Sequence, residues 1–151
     1  MKKQIFKAAT MFIGIIALAL VSAIASSAQN QRSITVNIPF DFTVKGKTLP
    51  AGEYILSRGS AADRTGLVIA RRDSEASAVV LTMPVESRES QSESRLVFNR
   101  YGERYFLSQV WIAGDSQGRE LFKSNRESSM EMELARSNAR PEVVAVTAST
   151  R

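Results

Sequence analysis

The chain has 151 residues and a formal net charge of +5, and it contains neither histidine nor cysteine. Those absences exclude disulfides, Cys/His zinc sites and histidine-activated nucleophiles, so packing alone must hold the fold together. Setting aside Lys2, Lys3 and Lys7 leaves 17 basic against 15 acidic residues, with Arg and Glu interspersed rather than gathered into the basic face of a nucleic-acid binder.

Those three lysines open a leader. An apolar run from Ala8 to Ala25 follows them, and Ser26-Ser27-Ala28 places small residues at the −3 and −1 positions before Gln29. This is the pattern of a secretory signal peptide cut after Ala28. An uncleaved anchor is the weaker reading, raised only because the apolar run approaches bilayer-spanning length. No cysteine follows, so a lipoprotein anchor is excluded. The expectation is an exported protein, periplasmic or extracellular, with no membrane attachment after cleavage. Residues 29–140 are expected to form a single β-rich domain including a C-terminal helix, and 141–151 a tail or last strand.

The mature sequence begins with ITVNIPFDFTV (34–44), which alternates apolar and polar side chains throughout. Such a period-2 pattern marks a half-buried strand. Pro39 interrupts it on the polar side and cannot donate to a ladder, which predicts two short strands, 33–38 and 40–45, kinked at Pro39 with Ile38 and Phe40 both facing the core. Lys45-Gly46-Lys47 and Leu49-Pro50-Ala51-Gly52 read as turns. Strands are then expected at Glu53–Arg58, Leu67–Ala70 and Ala78–Met83, separated by a loop at 59–66 and a polar turn at 71–75.

ESRESQSES (86–94) contains nothing apolar and reads as a mobile, solvated loop. Leu96-Val97-Phe98 leads into a hairpin turn at Arg100-Tyr101-Gly102-Glu103. The strand Tyr105–Ile112 carries apolar residues on both faces: Phe106, Val110 and Ile112 on one, Tyr105, Leu107 and Trp111 on the other. A strand apolar on both sides is normally covered on both. Gly114–Gly118 turns into a strand at Arg119–Phe122.

One helix is expected near 124–139. Ser124-Asn125-Arg126-Glu127 fits a capping box, and Met130 and Leu134 form a narrow apolar stripe that would lean on the domain, over the second face of the Trp111 strand. Pro141 stops it, and Glu142–Thr147 is either a last strand or a loose tail. Short antiparallel strands at this spacing predict an all-β sandwich or small barrel of about seven to nine strands with one C-terminal helix.

The stretches VNIPFDFTVKGKTLPAGEY (36–54), LVFNRYGERYFLSQVW (96–111) and GRELFKS (118–124) resemble a group of small exported bacterial proteins, typically uncharacterised. The resemblance covers about a third of the mature chain, in the same order, and implies a signal peptide and an antiparallel β-domain with a C-terminal helix. In that pattern a His is common where Asn99 stands and a Pro where Phe122 stands. No activity is implied.

Chemistry-bearing candidates are few. Asp41, Glu53, Glu103 and Glu120 sit near strands or turns, but a glycosidase needs two carboxylates at a defined separation in a cleft, which spacing alone does not show. Ordinary surface charge is the stronger reading. No S-x-x-K, phosphate loop or dinucleotide glycine pattern occurs. Tyr101, Tyr105 and Trp111 would suit an aromatic platform for a flat ligand, although the phase of Trp111 with Tyr105 and Leu107 argues for packing beneath the helix. Arg100, Arg104, Arg119 and Arg126 would suit an anionic polymer, but their interleaving with Glu103, Glu120 and Glu127 argues for surface ion pairs. A lipocalin-like ligand cavity is a further reading, because small β-barrels can enclose one, although the mature chain is short for a roomy calyx.

The leading expectation is therefore a non-enzymatic exported structural or interaction domain, needing no cofactor and no metal and having no catalytic residue. Its partner would be an envelope or extracellular one, and its ligand or partner surface would involve Tyr101, Tyr105, Trp111, Arg100 and Arg104. The alternative is a small-ligand or glycan-binding β-barrel or sandwich, and the third is a carboxylate-only hydrolase.

Overall fold

The computed structural model describes residues 33–59, 65–73 and 77–150. The leader expected at 1–28 and the centres of the loop at 59–66 and the turn at 71–75 lie outside the described residues. Among the described residues ten strands and one helix occur in the order β1 (Ile34–Ile38), β2 (Phe42–Val44), β3 (Lys47–Leu49), β4 (Gly52–Arg58), β5 (Gly66–Arg71), β6 (Ser77–Glu86), β7 (Ser94–Tyr101), β8 (Arg104–Trp111), β9 (Gln117–Leu121), α1 (Asn125–Arg136) and β10 (Glu142–Thr150).

Eight of these strands form a closed ring, β8-β7-β10-β1-β4-β5-β6-β9, in which β9 returns to β8 through Gln109↔Glu120 and Val110↔Arg119. Every neighbouring pair in the ring is antiparallel. The choice between sandwich and barrel thus resolves to an eight-stranded barrel. Residues 142–150 are a strand, not a tail. β10 bridges β7 and β1 and joins the two ends of the domain; without it the ring would expose two edges.

The opening stretch divides as its proline predicts. β1 belongs to the barrel, the chain bends through Pro39–Asp41, and β2 leaves the ring to pair in parallel with β8 (Phe42↔Tyr105, Thr43↔Phe106). Lys47–Leu49, read from sequence as part of two turns, is instead the second arm of a hairpin, β2–β3. Its tight turn at Lys45-Gly46 has both residues at positive φ, 48° and 86°, as the twist of a two-residue hairpin requires.

This hairpin extends the sheet from β8 and turns its apolar face into the core. Phe42, Val44 and Leu49 are buried in the core cluster, and the Phe42 ring meets Tyr54 of β4 edge-on at 5.1 Å and Phe98 of β7 at 5.6 Å. Phe40, half-buried, stacks on Tyr105 at 3.8 Å. Ile34, Val36, Ile38, Leu56, Ile69 and Leu96 fill the interior beneath, each no more than 2% exposed. The lumen is therefore a packed core, as expected for a ring of eight strands.

The phase along β8 departs from expectation. Val97 pairs with Gln109 but Phe98 with Leu107, so Ser108 is an extra residue, a β-bulge. Beyond it the strand's faces exchange. Leu107 and Val110 both belong to the interior cluster, whereas Phe106 and Trp111 are buried outside it. Trp111 does not lie in phase with Tyr105 and Leu107, and its ring rests on Gly118 of β9, where an added Cβ would stand 2.6 Å from it.

The helix also docks differently. Ser124 caps it, accepting from the Glu127 backbone N–H at 3.2 Å. α1 ends at Arg136, with Asn138 left-handed at φ 56° and the Ala139 amide bonded back to the Leu134 carbonyl. Met130 and Leu134 are only half-buried, and the one fully buried residue of the helix is Glu127. Its carboxylate accepts from the Asn99 side-chain amide of β7 at 3.0 Å. The helix therefore lies against the outer wall at Asn99 of β7, with Arg126 sharing a groove with Phe106 of the Trp111 strand.

Candidate functional site

The segment 86–94, expected to be mobile, is tied down instead. Ser87 N–H donates to the Ser116 carbonyl, Gln91 N–H to Asp115, and Gly114 N–H back to Gln91. Ser94 is buried and its hydroxyl accepts from the Ala113 amide. The loop's side chains are mostly polar, but its backbone is pinned to the β8–β9 turn.

The five residues proposed as a ligand or partner surface do not form one surface. Tyr101 is buried on the outer wall, edge-on to Phe106 at 5.6 Å. Its hydroxyl has no hydrogen-bond partner among the described residues, and burial, reinforced by the nearby charges of Glu127 and Glu131, pushes its pKa up to about 12. Tyr105 is half-buried, sandwiched between Phe40 and the Arg100 guanidinium, which lies 5.5 Å from its ring centre. Arg100 is occupied further by Glu142 at 3.1 Å and by the Gly102 carbonyl at 2.8 Å. Trp111 stands six residues along β8 from Tyr105, about 20 Å away at the usual strand rise, and is buried with its Nε1–H bonded to Gln109. An aromatic platform spanning Tyr101, Tyr105 and Trp111 is thus not present. Of the set, Arg104 is exposed.

Arg104 and Tyr105 do converge with other residues in an outer groove of about 190 Å³. The β2–β3 hairpin supplies Thr43 and Thr48, and Asp41 precedes it; the β7–β8 turn and β8 supply Glu103 and Phe106; α1 supplies Arg126. The two threonine hydroxyls stand 3.4 Å apart across the hairpin. Asp41 is fixed by accepting from the Ala51 amide at 2.8 Å. The groove therefore presents two guanidiniums, two carboxylates and two hydroxyls over an aromatic floor. Asp41, Glu103, Arg104 and Arg126 each stood out in the sequence for separate reasons, while Thr43 and Thr48 did not. Their signal was there: both sit on the polar phase of a hairpin.

The remaining singled-out carboxylates lie elsewhere. Glu53 pairs with Arg72 at 2.7 Å, and Glu120 faces Met83 and Gln109 across β9. Among the described residues no group of three or more His, Cys, Asp or Glu side chains is placed to hold a metal ion.

A second concavity, about 230 Å³, is mostly apolar: Val80, Leu81, Leu121 and Phe122 line it together with Lys45. It adjoins an exposed stripe on β6, Val79, Leu81 and Met83, whose side chains alternate outward.

Glu127 sits where the helix meets the wall. Burial raises its pKa, opposed by the Asn99 hydrogen bond, by Lys123 and by the Ser124 backbone, and assisted by Glu131. Lys123 is itself bonded to Glu131 at 2.6 Å, which fastens the helix to its entry segment. The chain matches no protein-family model, no curated protein and no solved structure.

Proposed function

We propose that the mature chain is a non-enzymatic binding module working outside the cytoplasm, and that it recognises its partner on the outer wall of the barrel. One observation carries this reading: core side chains fill the lumen, with the apolar face of the β2–β3 hairpin packed among them. The contact surface is the polar groove between that hairpin and α1, where mixed charges and hydroxyls favour a polar ligand with both donors and acceptors, such as a glycan or a zwitterionic segment. The exposed stripe on β6 supports an interaction role in the same sense, because soluble domains seldom leave such stripes uncovered without a partner. The signal-peptide pattern of residues 1–28 and the resemblance to exported β-domain proteins support the location.

A thermal-shift screen of the mature chain against oligosaccharides, dipeptides and inorganic anions tests it. Saturable stabilisation by one class, lost in Arg104→Ala and Arg126→Ala, is expected. Stabilisation that both variants retain would place recognition elsewhere. Because Asp41 and Glu103 share the groove, hydrolysis is the second reading. Turnover of model glycosides that disappears in Asp41→Asn or Glu103→Gln would replace binding with catalysis.

A further inference from the structure

The end of the barrel opposite the hairpin is built differently. Ile34, Leu56, Leu67, Val110 and Ile112 wall a notch of about 20 Å³, and two arginines, Arg58 and Arg119, reach its lining together with Ser57 and Gln117. Arg119 belongs to the inner face of β9: its partners across the ladders are Val110, a core residue, and Pro84. It is half-buried and pairs with no carboxylate among the described residues, whereas Arg58 is met by Asp115 at 3.5 Å. Burial, and then the neighbouring charge of Arg58, lowers the pKa of the Arg119 guanidinium.

With Asp115 engaged by Arg58, the half-buried Arg119 guanidinium lies against apolar walls without a carboxylate of its own among the described residues, an arrangement that a bound anion would favour. A hydrophobic residue would pack there at lower cost, so the arginine needs a reason. The notch admits one water-sized group, enough for a carboxylate head, while the apolar rim offers contact to an aliphatic stem. An Arg–carboxylate pair supplies two parallel hydrogen bonds, and low-dielectric surroundings strengthen them.

We propose that this open end binds the carboxylate of a small apolar acid, with Arg119 as the partner of the anion. The site is separate from the outer groove and does not depend on it. A free aliphatic acid and the C-terminus of an apolar peptide share the chemistry.

Octanoate and N-acetyl-leucine are the probes, with octanol and N-acetyl-leucinamide as uncharged controls, all at constant ionic strength. Thermal denaturation and ¹H–¹⁵N chemical shifts of the Leu67, Val110 and Ile112 amides are the readouts. One or both carboxylates should raise Tm saturably and move those amides; the controls should do neither. A response to octanoate alone identifies a free acid, and a response to N-acetyl-leucine alone a chain terminus. Arg119→Leu should raise the Tm of the ligand-free protein and abolish the response, and Arg119→Gln should weaken binding at least about tenfold, as loss of a charged hydrogen bond does. The proposal is overturned if the controls act as the acids do, if neither acid acts, or if both variants respond as the parent does.

Discussion

Gly118 shows how much one missing side chain can organise. The Trp111 indole lies where a Cβ at Gly118 would project, at 2.6 Å. Gly118→Ala must displace a buried ring, an overpacking change that costs about 1–3 kcal/mol. Urea unfolding should show that loss together with a shift in tryptophan emission, and an unchanged midpoint would mean the ring does not lie on Gly118. Glu127 makes a different kind of prediction. Its folded-state pKa is raised by burial, so its protonated form favours the folded state. That contribution is present below the ordinary carboxylate range and is lost as pH rises through the raised folded value. Unfolding free energy should therefore fall with rising pH across that window, and Glu127→Gln should remove this part of the slope while keeping an acceptor for Asn99. A slope identical in the two proteins would show that the carboxylate does not titrate as its burial requires. Tyr101, with a buried hydroxyl that finds no partner, should accept phenylalanine without loss, or with a gain of up to about 1 kcal/mol.

At the scale of elements, the parts legible in the sequence are those fixed by local chemistry. Pro39 divides ITVNIPFDFTV into two strands because proline cannot continue a ladder, and Ile38 and Phe40 both reach the core. Ser124 and Glu127 announce the helix start because capping is settled within one turn. What could not be read depends on distant partners. The bulge at Ser108 leaves no local mark in YFLSQVWI, since both phases are apolar; only pairing with Val97 and Phe98 reveals it. Glu127 looks like an ordinary cap until Asn99, 28 residues earlier, is brought against it. The outer groove was equally hidden: Asp41, Glu103, Arg104 and Arg126 come from separate segments, and the barrel alone brings them together. A consequence follows for the helix. Asn99→Ala leaves the Glu127 carboxylate buried without its side-chain donor, a loss of about 1–3 kcal/mol. Hydrogen exchange across 125–136 should accelerate more than exchange in β4 or β5; equal acceleration would mean the Asn99–Glu127 contact does not specifically secure the helix.

At the scale of the whole molecule, closure of the ring underlies stability and shapes the proposed function. β10 is the last of the described strands, yet it joins the ring between β7 and the first strand, β1. Truncation after Arg140 should open two edges and yield an aggregating, non-cooperatively unfolding protein by size-exclusion and thermal melts, whereas a soluble monomer with a sharp transition would show that closure is dispensable. In the proposed reading, the same closed ring, filled by its own side chains, directs recognition to the outside. The most direct test of that claim is to map ¹H–¹⁵N shift changes as the ¹⁵N-labelled mature chain is titrated with oligosaccharides and dipeptides. Saturable changes should concentrate on Thr43, Thr48, Arg104, Phe106 and Arg126. Changes centred on the interior residues Ile38, Ile69 and Phe98 would contradict it.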